Sequence, residues 1–354
     1  MPLASKPSVI SEQTAFDLLQ SPPGILCAAA VLDFVLGDPW GWPHPVRVMG
    51  WVITHYSQWA LRQFKSPLPR KLAGMVLALL LVLGSALSAW VIMRAFYQWT
   101  PWGWSIEVVL LASCFAGRSL RAAAEDVLKP LRSGSLLKAR SQLSQYVGRD
   151  TQTLSEPEVL RAVLETVAEN ATDGVMAPLF YALLGLGLEL FLGLGLGLGL
   201  GLGLPTVMVP LAIAYKAAST LDSMVGYRDE PYTHLGWFSA RLDDVLTWLP
   251  CRLNVFTLGA ISGKIQAVWR LCQRDAHQDP SPNSGWSECA YAAILEVQLG
   301  GLNSYRGVLK LKPLLGKPYR PITPERIYYA LRLMRNSFLL WIWVAIAIWL
   351  IGTQ

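Results

Sequence analysis

The run from Leu72 to Met93 contains no charged residue. Its length matches the roughly 20 apolar residues a helix needs to cross the hydrocarbon core of a bilayer. In lipid the backbone polar groups of such a segment must be satisfied internally, so it is expected to be a helix. Lys71 and Arg94 flank it. This one segment makes the chain an integral membrane protein and constrains how every other segment is read.

Further apolar stretches follow the same logic. They are 25–36, interrupted by Asp33; 104–117, with Glu107 near its start; 175–192, carrying Glu189; 205–216; and 338–351. Between the fourth and fifth of these six segments, 193–204 is a low-complexity Gly-Leu alternation, read as an expanded hairpin connection without chemistry. Composition agrees, with 53% hydrophobic and only 15% charged residues. The net charge of +6 comes without a dense Lys/Arg block, so nucleic acid is not an expected partner. Residues 1–22 are polar with one basic residue, Lys6, and no cleavable signal peptide is expected.

Three polar loops remain, 37–71, 118–174 and 217–335. Reading 72–117 and 175–214 as membrane hairpins returns all three loops to one face. Arg47, Arg62, Lys65, Arg118, Arg121 and Lys129 mark that face as cytoplasmic. The loops are expected to be helical. Ser155-Glu156-Pro157-Glu158 is a capping box opening a helix toward Asn170. The expected fold is one all-α, polytopic integral membrane domain over 1–354, with helical cytoplasmic loops, in the cell membrane.

Four clusters in the loops carry candidate chemistry. In Asp38-Pro39-Trp40-Gly41-Trp42-Pro43-His44-Pro45-Val46-Arg47, three prolines forbid a regular helix. The result is either a rigid loop presenting Asp, His and Arg or an interfacial turn anchored by tryptophans. The second cluster runs from Arg149-Asp150 through Glu165, Glu169, Asn170 and Asp173. Arg161, Glu165 and Glu169 share one helical face. Two carboxylates one turn apart suit a magnesium ion, which takes one or two carboxylates plus phosphate, or a solvated face balanced by Arg161. In the third, Lys216, Ser219, Thr220 and Ser223 share a face near Asp222, suiting either phosphate or a snorkelling lysine. Close behind, Arg241 and Asp244 read most plainly as an ion pair. The fourth, Ser281-Pro282-Asn283-Ser284-Gly285, is a turn into a helix through Gln298, whose free N–H groups favour anions.

No dinucleotide-binding glycine motif and no nucleophile elbow occurs, and Gly259 to Lys264 is one residue short of a P-loop. The five cysteines are widely spaced, without a zinc pattern, and are expected to be reduced and mostly buried.

These clusters lie in long stretches that resemble the adenosylcobinamide-phosphate synthase family of cobalamin biosynthesis, the CbiB/CobD type. The stretches are LDFVLGDPWGWPHPVRVMG, YVGRDT, ETVAENATDGVMAPLFYALLG, YKAASTLDSMVGY, GWFSARLDDVLTWLPCRL and SPNSGWSECAYAAILEVQLGG, followed by NSYRG. The likeness runs from about 30 to 335, and the Gly-Leu tract is its main departure. The resemblance implies an amide-forming ligase that joins adenosylcobyric acid, a corrinoid, to (R)-1-aminopropan-2-ol or its O-phosphate, using ATP and magnesium. It also implies that Glu165, Glu169 and Asp173 hold magnesium and that Arg149, Lys216 and Arg241 neutralise phosphates. Asp150 or Asp222 would accept the amine proton, with His44 beside Asp38 as the alternative base. Asn283 and Ser284 would contact substrate amides or phosphate, and Arg47, Asn170 and Ser223 complete the substrate-contacting set. Other cobalamin-assembly enzymes are possible partners. The rival readings are a corrinoid transporter, suggested by Glu189 in an apolar run, and a non-catalytic membrane scaffold.

Overall fold

The computed structural model describes residues 19–37, 44–100, 102–195, 206–227 and 229–353. Asp38 and most of the Gly-Leu tract lie outside them.

Helices dominate, and many begin where a proline or a cap directs them. Helix α1 (Pro22–Val35) starts under Ser21, whose hydroxyl accepts the Gly24 amide at 3.2 Å. Helix α2 (Pro45–Gln63) is capped by His44, and α3 (Pro67–Trp99) contains the uncharged run. Then come α4 (Trp104–Ala112), α5 (Gly117–Arg132), α6 (Leu136–Leu143) and α7 (Glu156–Asn170). The capping box forms at the start of α7, with the Ser155 amide donating to Glu158 at 2.7 Å. A π-helical turn (Ala171–Met176) joins α7 to α8 (Ala177–Gly195). The chain continues through α9 (Met208–Val225), α10 (Trp237–Ile261), α11 (Ile265–Asp275), α12 (Ser284–Leu295) and α13 (Pro324–Gly352).

Among the described residues, three helices are long and apolar enough to cross a membrane: Pro67–Trp99, Glu156–Phe191 and Pro324–Gly352. On α3 and α13 most of the apolar window faces outward. Leu80, Leu83 and Leu87 are exposed on one, Trp343 and Ile351 on the other. Apolar surface this continuous is lipid-facing rather than water-facing. Helix α4, expected as the second arm of a hairpin with α3, has 9 residues. It rises about 14 Å, half the roughly 30 Å hydrocarbon thickness, and does not cross alone.

The two carboxylates in apolar surroundings have a shared task. Glu107, fully buried on α4, accepts the Thr206 amide at 3.2 Å and the Thr206 hydroxyl. Glu189 on α8 accepts the Val207 amide. Both therefore satisfy free N–H groups at the start of α9, where unpaired donors in lipid cost most. This gives Glu189 a structural explanation and removes the observation that favoured a transporter.

One non-helical element amends the expectation. Strand β1 (Gln298–Tyr305) pairs antiparallel with β2 (Val308–Gly316). The turn residues Arg306 and Gly307 have φ of 52° and 78°. Two consecutive positive φ values give the mirrored turn whose twist matches a hairpin. The helix expected to continue through Gln298 stops at Leu295, because Glu296 turns left-handed at φ 60°.

Candidate functional site

The π-helical turn sets the geometry of the site. Such turns insert an extra residue into a helix, re-aim the side chains that follow, and recur at functional sites. This one is held by a directed chain of buried hydrogen bonds. Ser287 donates to the Ala168 carbonyl at 2.6 Å, which commits its proton. Thr172 must then donate to Ser287, at 2.8 Å. Thr172 in turn accepts from the Asn254 amide at 3.1 Å, and Asn254 accepts from Ser337 at 3.0 Å. Side chains from α10, α12 and α13 thus clamp the turn that carries Asp173.

Around Asp173 gather the charges of Asp243, Glu169, Asp222 and Lys216. Asp244 and Glu169 lie beside Asp222. Five carboxylates from α7 and its π turn, α9 and α10 therefore lie within electrostatic reach of one another, with Lys216 near Asp173. Burial, then the charges of Asp222 and Asp244, pushes the Asp243 carboxyl up to about 8. Burial, then Asp244 and Glu169, pushes Asp222 up to about 6. Like charges this crowded oppose joint ionisation unless a cation joins them.

The donor set fits a magnesium ion and phosphate. Buried oxygens Asp243 Oδ1, Asp279 Oδ2 and Glu288 Oε2 lack hydrogen-bond partners among the described residues. No three His, Cys, Asp or Glu side chains among those residues converge to enclose a metal by themselves. Magnesium asks for less, since it keeps water and substrate phosphate in its shell and takes one or two carboxylates. Glu169 is solvent-accessible and Asp173 half-buried, so both can be reached by such an ion.

The hairpin contributes a second set of charged contacts. Lys312 on β2 bonds the fully buried Glu288 at 2.6 Å. Burial pushes Glu288 up to about 8 despite that lysine. Burial works against the charged Lys312 amine, yet Glu288, Glu165 and Glu169 together raise it. Glu165 is committed elsewhere. One of its oxygens pairs with buried Arg149, and the other accepts the Gly300 amide at 2.8 Å. Arg149 also bonds Asn303 at 2.9 Å, and Arg161 bonds Asn303 at 3.1 Å and the carbonyls of Leu302 and Gly300. Asp150 accepts the amides of Arg306 and Gly307 at 3.1 and 2.8 Å and the Ser304 hydroxyl. The hydroxyl, then those amides, holds its carboxyl below the usual carboxylate range.

The expected residues thus divide. Glu169, Asp173, Lys216 and Asp222 come together. Glu165, Arg149 and Asp150, expected as ligand, phosphate clamp and base, instead tie the hairpin to α7 and the loop before it. Asn283 is a buried strut. Its amide nitrogen donates to the Asp244 carbonyl at 2.9 Å and its oxygen accepts from Arg252 at 2.7 Å. The Arg252 guanidinium lies between the rings of Trp248 and Trp286. Ser284 bonds Asp279 at 3.0 Å. Asn170 and Ser223 are exposed but bond backbone carbonyls of their own helices. Arg241 is exposed on α10 and Arg47 on the first turn of α2. His44 accepts the Val46 amide on Nδ1 at 3.2 Å, so the proton of its neutral ring sits on Nε2.

Sequence reasoning passed over Asp243, Asp279, Glu288 and Lys312. The available signal was the adjacent pair Asp243-Asp244, where only Asp244 was given a task. Lys312 could not be placed while the hairpin was unrecognised.

Comparison with known proteins follows the same residues. The family model described as "CobD/Cbib protein" matches residues 26–334. The cobalamin biosynthesis protein CobD of Synechocystis sp. is 51% identical over 316 residues, 89% of this chain and 88% of that protein. The cobalamin biosynthesis protein CbiB of Salmonella arizonae is 41% identical over 333 residues, 92% of this chain and 98% of that protein. The cobalamin biosynthesis protein CobD of Citrobacter koseri is 38% identical over 333 residues, with the same coverage of 92% and 98%. No solved structure matches.

Proposed function

Because the chain belongs to the CobD/CbiB family of cobalamin biosynthesis proteins, we propose that its acidic cluster around Asp173 joins the carboxylate of adenosylcobyric acid to (R)-1-aminopropan-2-ol or its O-phosphate. The product is adenosylcobinamide or its phosphate, and ATP activates the carboxylate. Transfer of the terminal phosphoryl group to the carboxylate releases ADP. Attack by the amine forms the C–N bond and expels phosphate, and the amine loses one proton. The observation that carries this reading is that Glu169, Asp173, Asp222, Asp243 and Asp244 lie near enough to influence one another's charge, with Lys216 among them.

Glu169 and Asp173 would hold magnesium, which would supply charge neutralisation for phosphate oxygens. Asp243, whose charge acts on Asp173, adds to the negative field that favours a cation there. Lys216 neutralises phosphate from the other side, with exposed Arg241 at the approach. Asp222 is the favoured proton acceptor. Its carboxyl is pushed up to about 6, close to what a base needs near neutral pH. Asp150 is held too acidic and too fully bonded for that task. The loops carrying these residues are taken to face the cytoplasm, by the distribution of basic residues.

The test uses the detergent-purified protein with adenosylcobyric acid, magnesium, ATP and each amine form, followed by corrinoid mass. One amine form is expected to give the amide, dependent on both ATP and magnesium. Absence of amide under every combination overturns the reading.

A further inference from the structure

A cavity of about 740 Å³ lies between α1, the start of α5 and α13. Val175 of the π turn forms part of its wall. The side chains divide sharply by chemistry. Arg118, Arg121, Arg332 and Arg335 line it, against one carboxylate, Asp33. The remaining wall is mainly apolar, and Val31, Phe34 and Leu339 in it are exposed.

Three elements locate this cavity relative to a membrane. Helix α13 carries Arg332, Arg335 and Asn336, then no charge from Ser337 to Gly352. Helix α1 is apolar up to Asp33 and ends at Val35. The apolar α4 gives way to Arg118 within the first turn of α5. All three change from apolar to polar at the cavity, so its arginines stand at headgroup level and its exposed apolar wall runs into the hydrocarbon. Arg118 is fixed at the mouth by donating to the Phe34 carbonyl at 3.1 Å, and Arg121 is paired with Glu125 at 2.8 Å. Arg332 lies against the Tyr329 ring and is exposed, as is Arg335. Guanidinium groups grip phosphate bidentately, and basic pockets between membrane helices recognise anionic headgroups.

We propose that this cavity binds an anionic phospholipid, with its phosphate held by Arg118, Arg332 and Arg335 and an acyl chain laid along Val31 and Leu339. The charge surplus selects against zwitterionic lipid, and the apolar wall distinguishes a lipid from free phosphate. The site is separate from the proposed catalytic cleft, so lipid binding is read without turnover.

The experiment is native mass spectrometry of the full chain in an uncharged detergent. Dioleoylphosphatidylglycerol, dioleoylphosphatidylcholine or inorganic phosphate is added as the probe. Wild type is expected to retain phosphatidylglycerol well above the other two. Arg335→Gln is expected to weaken retention about fivefold, and Arg332→Gln with Arg335→Gln about thirtyfold. Arg270→Gln, an exposed arginine on α11, should leave retention unchanged. Leu339→Gln should weaken lipid retention while leaving phosphate binding as it was. Melting in detergent confirms that each variant is folded. Equal retention of the two lipids, full retention by the double variant, or an equal loss in Arg270→Gln would overturn the proposal. So would phosphate binding as tight as that of the lipid.

Discussion

Single carboxylates in this protein do opposite work, and substitution separates them. Glu165 is 2% exposed and paired with Arg149, itself 8% exposed. Glu165→Ala leaves a buried guanidinium without its counter-charge and the Gly300 amide without its acceptor. A loss of about 3–5 kcal/mol is expected, seen as a lower melting temperature in detergent. Asp243 is the reverse case, a buried carboxylate held among other carboxylates. Asp243→Asn should keep or raise the melting temperature while cutting turnover by about a hundredfold or more. The same crowding sets a pH dependence. Asp222 and Asp243 bind protons more tightly in the folded chain than in the unfolded one. Their contribution to stability is therefore complete below the ordinary carboxylate range and is lost as pH rises through about 6 and then about 8. Melting followed without divalent cation should show that fall, and added magnesium should raise the melting temperature more at pH 8 than at pH 6.

Among the elements, those governed by local rules were legible and those governed by distant contacts were not. The α7 capping box could be read because Ser155 and Glu158 are three residues apart, and the α3 span because nothing charged interrupts it. The π turn leaves no local mark. Its stability comes from Ser287, Asn254 and Ser337, side chains more than 80 residues away along the chain. The hairpin hid behind an Arg306-Gly307 turn instead of the commoner Asn-Gly, and behind a bulge between Leu299 and Gly301. Helix α3 offers a clean test of how tightly elements meet. A Cβ on Gly74 would lie 1.8 Å from the Leu235 carbonyl oxygen, whereas one on Gly84 would meet nothing within 4 Å. Gly74→Ala is expected to displace the loop carrying Leu235 and lower the melting temperature. Gly84→Ala should be neutral or slightly stabilising, given the roughly 1 kcal/mol helix preference of alanine over glycine.

At the scale of the whole molecule, membrane character follows from Leu72–Met93 and from the lipid-facing sides of α3 and α13, while the site is assembled from segments far apart in sequence. Half of it could be read beforehand, because Glu169, Asp173, Lys216 and Asp222 lie in recognisable stretches. The other half needed the tertiary packing that brings Asp243 near Asp222 and Lys312 onto Glu288, and turns Glu165 toward Arg149. If the polar loops share one face, cysteines introduced at exposed Arg62, Lys138 and Gln273 should all react with an impermeant thiol reagent from the cytoplasmic side in vesicles. Labelling from opposite sides would break that topology. The central claim is that the acidic cluster around Asp173 performs the condensation. Its most direct test is amide formation by Asp243→Asn beside wild type, with adenosylcobyric acid, amine, ATP and saturating magnesium, once both proteins melt at comparable temperatures. The account predicts product from wild type and little or none from the folded variant; equal turnover by the two would contradict it.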